Sequence, residues 1–287
     1  MALKLVKWLA IAAAITALAS GCSLRTLIVE HLDWLLMREL DNYFDLTDEQ
    51  YRIYKQRGKG HMKWFQETQI PWLLTEIEFI RSHDKPVPRQ HLQRISNKVL
   101  NKLWINLADR LAADGGHLFR SLSTQQYRHF DEKILADADK MLELSKLAKQ
   151  DYPAAYEEIQ AAMIDEIENW VGAVSPKQQQ LIKQITFVEQ TKYKKEVAIW
   201  LEIRKEFLRR LKLLKTPQEV AEFLKRWARD PDIERNKYQQ YRKNRISRQI
   251  AVWTAMEKTV TPEQIAFRNQ RLSQLKTDLS NIQKTKY

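Results

Sequence analysis

Two carboxylates four residues apart, Asp41 and Asp45, open the chemistry that this chain could perform. They lie in the run Leu40-Asp41-Asn42-Tyr43-Phe44-Asp45-Leu46-Thr47. On a helix, that spacing puts both on one face, as paired carboxylates stand in acid–base sites, and Arg38 one turn earlier can pair with Asp41. No nucleophile or base adjoins them in the sequence, so they read first as residues shaping a helix end. Their second reading is a partner-docking surface together with Asp33, Trp34, Tyr43 and Phe44. The histidines (His31, His61, His83, His91, His117 and His129) are scattered and form no H-E-x-x-H or Glu-x-x-His pair. Asp114-Gly115-Gly116-His117 is a lone Asp-x-x-His, which a loop-to-helix transition explains better. There is no Gly-rich phosphate loop, no G-x-S-x-G elbow and no C-x-x-C. The expectation is a non-enzymatic protein with no catalytic residues, no metal and no cofactor. The alternative is a hydrolase or transferase of the cell envelope that uses Asp41 and Asp45.

The single cysteine, Cys22, stands in a different context. Lys4 and Lys7 precede an apolar stretch from Trp8 to Ala19, and Ala19-Ser20-Gly21 lead into Cys22. A charged start, a short apolar middle and a small-residue site are the three parts of a secretory signal. The apolar stretch is too short for the ~20 residues of a spanning helix. The small residues before a lone cysteine are similar to a lipobox, the site at which a lipoprotein signal is removed and the thiol acylated. This divides the chain into a signal peptide, 1–21, and a mature body, 22–287, with a soft internal boundary near 153. A thiol used for acylation leaves none for a disulfide or a Cys-based metal site.

The elements that must position these residues are helical. Six glycines and eight prolines in 287 residues are too few for the frequent turns of a β fold, and good helix formers dominate. The expected fold is all-α, a multi-helix bundle of about nine to eleven helices with short loops. Helix starts are marked by a recurring pattern of an apolar residue, Ser or Thr, two residues, then Gln or Glu. It appears at Leu46-Thr47-Asp48-Glu49-Gln50, Leu122-Ser123-Thr124-Gln125-Gln126, Val174-Ser175-Pro176-Lys177-Gln178 and Val260-Thr261-Pro262-Glu263-Gln264, with Thr216-Pro217-Gln218-Glu219 as a variant. Each is a capping box, in which the hydroxyl accepts from the third helical N–H and the Gln or Glu accepts from the cap's own N–H. Successive full boxes lie 76, 52 and 86 residues apart, an irregular spacing that marks helices and is not a solenoid repeat. Breaks are expected at Asp84 to Pro88, Asp114-Gly115-Gly116, Pro153, Gly172 to Pro176, Pro217, Pro231 and Pro262. Most tryptophans fall among apolar neighbours at helical spacing and are expected in the core.

Charge is unevenly distributed. Residues 192–248 hold 18 Lys and Arg against 8 Asp and Glu, whereas residues 130–170 hold 4 against 11. The basic stretch reads as a solvated surface partly paired with the acidic one. It also offers an anionic-surface footprint through Arg204, Arg209, Arg210, Lys212, Arg226 and Arg245. Export removes the chain from nucleic acid and leaves anionic lipids or envelope proteins as partners.

The lipobox, Leu32-Asp33-Trp34-Leu35-Leu36 and the run Leu40 to Gln50 together resemble an uncharacterised family of Gram-negative bacterial lipoproteins, catalogued as a domain of unknown function. The resemblance extends to the closing Thr261-Pro262-Glu263-Gln264 helix. It implies an all-helical lipoprotein and carries over no activity. The capping pattern alone, Leu46 to Gln50 and Leu122 to Gln126, is similar to the Leu-Thr-x-x-Gln motif of Spy/CpxP-type periplasmic chaperones. Ser23 after the cysteine, where Asp would imply inner-membrane retention, implies sorting to the periplasmic face of the cell outer membrane. The protein is therefore expected to bind the lipid bilayer through acylated Cys22 and to act as a helical binding protein for envelope partners or clients, or as a structural subunit of an envelope complex.

Overall fold

A computed structural model describes residues 32–82, 87–97, 102–136, 139–231 and 235–286. Cys22 and the signal segment lie outside the described residues. The described chain is helical throughout, with no strand. The first half contains α1 (Leu32–Phe44), α2 (Asp48–Trp64), a π turn (Phe65–Gln69), α3 (Ile70–Arg81), α4 (Arg89–Ile95), α5 (Leu103–Ser121) and α6 (Thr124–Ala136). After α7 (Asp139–Gln150) come α8 (Tyr152–Val171), α9 (Pro176–Thr186), α10 (Gln190–Leu213), α11 (Pro217–Arg229), α12 (Arg235–Glu257) and α13 (Pro262–Lys284). The described residues form the all-α multi-helix fold that was expected, in thirteen helical segments. The break at Phe187-Val188-Glu189, which carries neither Gly nor Pro, is one that was not expected.

The starts fall where the local chemistry put them. Thr47, Ser175, Thr216 and Thr261 each accept from the third helical N–H, and the Gln or Glu at that position returns the bond. Ser123 and Gln126 do the same, with Ser123 N–H donating to Gln126 Oε1 at 2.9 Å and Gln126 N–H to Ser123 Oγ at 3.2 Å. Proline follows the cap in α9, α11 and α13, where its missing N–H leaves nothing unpaired.

The glycine pair at 115–116 is not a break. Both residues lie inside the continuous helix α5, which crosses α11 at very close range. A Cβ on Gly116 would stand 2.2 Å from the Pro217 carbonyl oxygen, and one on Gly115 would meet Leu224 Cδ1 at 2.9 Å. The glycines let two backbones touch, a tertiary requirement that outweighs their poor helix propensity. Gly58 and Gly60 on α2 are the opposite case, with nothing within 4 Å of an added Cβ. Gly58→Ala and Gly60→Ala are each expected to stabilise the protein by about 0.5–1 kcal/mol, read as a rise in Tm.

Two four-helix units repeat one arrangement. In the first, α1 packs on α2 and α6, and α2 on α5; in the second, α8 packs on α9 and α13, and α9 on α12. Each unit carries inserted helices, α3 and α4 in the first, α10 and α11 in the second. The insertions are exchanged. Helices α3 and α4 pack on α13 and α12 of the second unit, while α11 and α10 pack on α5 and α6 of the first.

Three apolar clusters follow this plan. The largest joins Met37, Tyr43, Phe44, Phe119 and Phe130 of the first unit to Phe207, Leu211, Phe223 and Trp227 of the helices inserted from the second. A second is built within the repeat partner from Ile167, Val171, Ile182, Val252 and Met256. The third ties Met62, Ile70 and Ile77 to Leu272, Leu279 and Ile282 of the last helix, whose near-3.5-residue apolar seam finds its partner there. The π turn serves the same junction. It brings both Gln66 and Gln69 to buried positions, and Gln66 Nε2 donates to the carbonyls of Ile282 at 2.6 Å and Thr285 at 2.7 Å, closing the end of α13.

Candidate functional site

The capping glutamines do more than cap, because they meet in pairs. Gln178 Nε2 donates to Gln264 Oε1 at 2.9 Å, and Gln264 Nε2 donates to Gln178 Oε1 at 3.1 Å. Gln178 Nε2 also reaches the Thr259 carbonyl at 3.0 Å, and Gln264 Nε2 the Ala173 carbonyl at 2.8 Å. Thus each carboxamide oxygen holds its own cap's N–H while the nitrogen holds the backbone two residues ahead of the other cap. The first unit repeats this bond for bond. Gln126 Nε2 donates to Gln50 Oε1 and to the Asp45 carbonyl, both at 2.7 Å, and Gln50 Nε2 donates to the Ser121 carbonyl at 3.1 Å. Gln126, Gln178 and Gln264 are buried.

At neutral pH a carboxamide can make this clasp and an ionised carboxylate cannot, since the carboxamide offers an acceptor and a donor together. Glu219, in the fifth box, accepts from the N–H groups of Lys215 and Thr216 and forms no clasp. The signal was thus present in the sequence, as Gln rather than Glu in four of five boxes. What the linear spacing concealed was that the boxes close on one another two by two.

An acidic residue supports each clasp from the preceding helix. Asp41 Oδ1 accepts from Leu46 N–H at 3.0 Å, and Glu168 Oε1 accepts from Val174 N–H, also at 3.0 Å. The chain turns beside them through left-handed backbone, at Asp45 (φ 48°) and at Gly172 (φ 77°). Asp41 and Asp45 therefore play distinct roles, one tying down a backbone N–H and the other forming the turn itself while exposed. Asp41→Ala is expected to lower stability by about 1 kcal/mol, some 2–4 °C in Tm, because the Leu46 amide loses its acceptor. A thermal melt checks this.

Other residues singled out from the sequence are placed as follows. Tyr43 and Phe44 are core residues, 6% and 8% exposed, and Phe44 stacks on Phe130 at 4.9 Å and meets Phe119 edge-on at 5.3 Å. Trp34 is exposed, with the Arg38 guanidinium 5.3 Å from its ring centre, and Asp33 is half-buried beside it in sequence. Asp114 pairs with Arg57 and His61 of α2 and not with His117.

Several of the named basic residues are committed to the protein's own framework, while Lys192, Lys194, Lys195, Lys205, Lys215 and Lys243 of the same stretch are exposed. Arg204 is 1% exposed, donates to the Ile134 carbonyl and lies 4.0 Å over the Trp200 ring, so burial removes it from any outer surface. Arg209 and Arg210 share Glu206, whose carboxyl they hold down at about 2, first through the Arg209 hydrogen bond. Lys212 pairs with Asp131 of the acidic stretch. Arg245 is half-buried, and burial, followed by the charge of Arg248, pulls its guanidinium down to about 10, still cationic at neutral pH. Arg226 remains exposed.

Among the described residues no group of three or more His, Cys, Asp and Glu side chains could hold a metal ion, and no helix is long and apolar enough to cross a membrane. A model described as a family of unknown function, DUF6279, matches residues 42–219. Neither a curated protein nor a solved structure matches the chain.

Proposed function

Since the chain belongs to that family of unknown function, we propose a function from its own residues: a lipid-anchored, non-enzymatic helical scaffold that binds partners or clients in the bacterial envelope. The anchor is Cys22, acylated after removal of residues 1–21, with the body held at the periplasmic face of the outer membrane. The observation that carries the scaffold reading is the use of the motif polar groups. The four clasp glutamines and Asp41, the most chemically suggestive polar residues of the chain, hold helix ends and backbone amides in place. An arrangement that uses its motif residues this way supports rigid display of surfaces. It also draws Asp41 away from the envelope-hydrolase alternative, because the carboxylate already has a structural partner.

The anchor reading is supported by the sequence ahead of the fold. Only nine residues lie between Cys22 and Leu32, the first described residue of α1. Fully extended, that linker spans at most about 35 Å, so the body would lie close to the bilayer that holds the acyl chains. Two experiments test the proposal. Palmitate labelling of growing cells is expected to mark the protein and to be lost in Cys22→Ala. Cross-linking in intact cells is expected to give discrete adducts with envelope proteins. Labelling that survives the substitution would remove the anchor, and absence of any adduct across reagents would remove the scaffold.

A further inference from the structure

We propose that the outer face of α2 docks on the anionic phospholipid headgroups of the membrane beside the anchor. The proposal rests on the reading of Cys22 as the acylated residue and names the surface that would meet the bilayer.

Residues 50–66 contain five Lys and Arg and no Asp or Glu. Arg57 turns inward to Asp114 of α5. Arg52, Lys55 and Lys59 recur at helical spacing along the opposite side, are exposed, and make no ion pair among the described residues. Lys63 continues the row one turn further, 74% exposed and 3.9 Å from Glu67. Ile53, 37% exposed, and Gln56 border an open hollow that Arg52, Lys55 and Lys59 also line. Along this helix the exposed cations stand between Asp48 and Glu49 of its first turn and Glu67 beyond its end, with no acidic residue among them.

Position selects the occupant. Helices α1 and α2 form a hairpin, and Leu36 of α1 packs in the cluster containing Met62 of α2, so the Lys59–Lys63 end lies beside the first turns of α1. Those turns follow the nine residues after Cys22. The same hairpin carries Trp34, 47% exposed, with Arg38 against its ring. An exposed indole backed by a guanidinium suits the headgroup boundary, where tryptophans concentrate. Lysines and arginines next to an anionic surface gain attraction that fades within a Debye length, and a short linker lets the helix approach within that range.

The test uses the purified mature full-length protein. It is incorporated into vesicles of phosphatidylcholine alone or with about 30% phosphatidylglycerol, the anionic charge that the mechanism requires. Amine acylation followed by mass spectrometry reads Lys55, Lys59 and Lys63, with exposed Lys149 and Lys258 as internal references. The anionic vesicles are expected to lower labelling of the three α2 lysines several-fold relative to the references, and about 0.5 M salt should reverse the protection. In Arg52→Glu/Lys59→Glu, protection at Lys55 and Lys63 should disappear while the melting temperature stays within a few degrees. Equal labelling in both vesicle types overturns the proposal, as does protection that is also seen on neutral lipid or that survives the charge reversal. Protection that requires a second copy, seen as concentration dependence without lipid, assigns the face to self-association and also overturns it. The intact mass reports acylation of Cys22 separately, so loss of the anchor and loss of the docking face are distinguishable.

Discussion

Replacing Gln178 with glutamate is expected to destabilise the protein by about 3 kcal/mol at neutral pH, roughly 6–12 °C in Tm. The substitution keeps shape and the acceptor for the Ser175 cap. It removes the donor that serves the Thr259 carbonyl and Gln264 Oε1, and it turns a negative charge toward both. The sign of the pH dependence identifies the cause. A carboxyl facing two acceptors in a 3%-exposed position favours its protonated form, so its folded pKa lies above its unfolded one. The folded state then keeps its proton to higher pH, and stability is lost as pH rises from the unfolded value near ~4.3 through the raised folded one. The variant should approach the parent near pH ~4, where the protonated acid again donates, and lose most by pH ~7. Gln180→Glu, on the exposed side of the same helix, should change little at either pH. A double-mutant cycle on Gln178→Ala and Gln264→Ala should give a coupling of about 1–3 kcal/mol, since the two carboxamides bond directly. A coupling near zero would show that each glutamine acts only on its own helix.

The second large effect is expected at Gly116. Gly116→Ala sets a methyl group 2.2 Å from the Pro217 carbonyl oxygen, 3.0 Å from its carbon and 3.3 Å from the Ala221 nitrogen. All three are backbone atoms, so relief requires α5 and α11 to move apart, loosening Phe119, Phe207, Phe223 and Trp227 around them. The cost should reach about 3 kcal/mol or more, against a helix-propensity gain of about 1 kcal/mol. Gly115→Ala meets only the end of the Leu224 side chain, which can swing aside, and should stay within about 1 kcal/mol of the parent. Chemical denaturation of the two variants side by side separates a backbone clash from a general intolerance of alanine in α5.

These two sites also mark what could be read from the sequence. Helix starts were legible because a capping box is made by neighbours in the chain, and Thr47, Ser175, Thr216 and Thr261 each cap the helix their pattern announced. Core faces were legible for the same reason of local periodicity; Val197, Trp200, Phe207, Leu208 and Leu211 of α10 are all buried. The glycine pair was misread because a glycine that breaks a helix and one that admits a second backbone are identical in one dimension. The pairing of Gln50 with Gln126 and of Gln178 with Gln264 joins residues 76 and 86 positions apart, which no local pattern encodes. Tyr43 and Phe44 looked available for docking because their partners, Phe119 and Phe130, arrive only through the tertiary fold. The fate of Arg204 turned likewise on distant groups, the carbonyl of Ile134 among them.

The exchange of inserted helices between the two units has a consequence for how the chain can be divided. A single unit resembles one subunit of a swapped two-fold dimer, missing the helices that its counterpart would lend; here both subunits are strung on one polypeptide, joined through the short α7. Cutting the backbone beside Asp151 should therefore yield two fragments that stay unstructured apart and regain helical content when mixed. Because the anchor candidate sits on the first fragment alone, such a split would also convert a permanently tethered protein into one whose second half is recruited to its first by complementation.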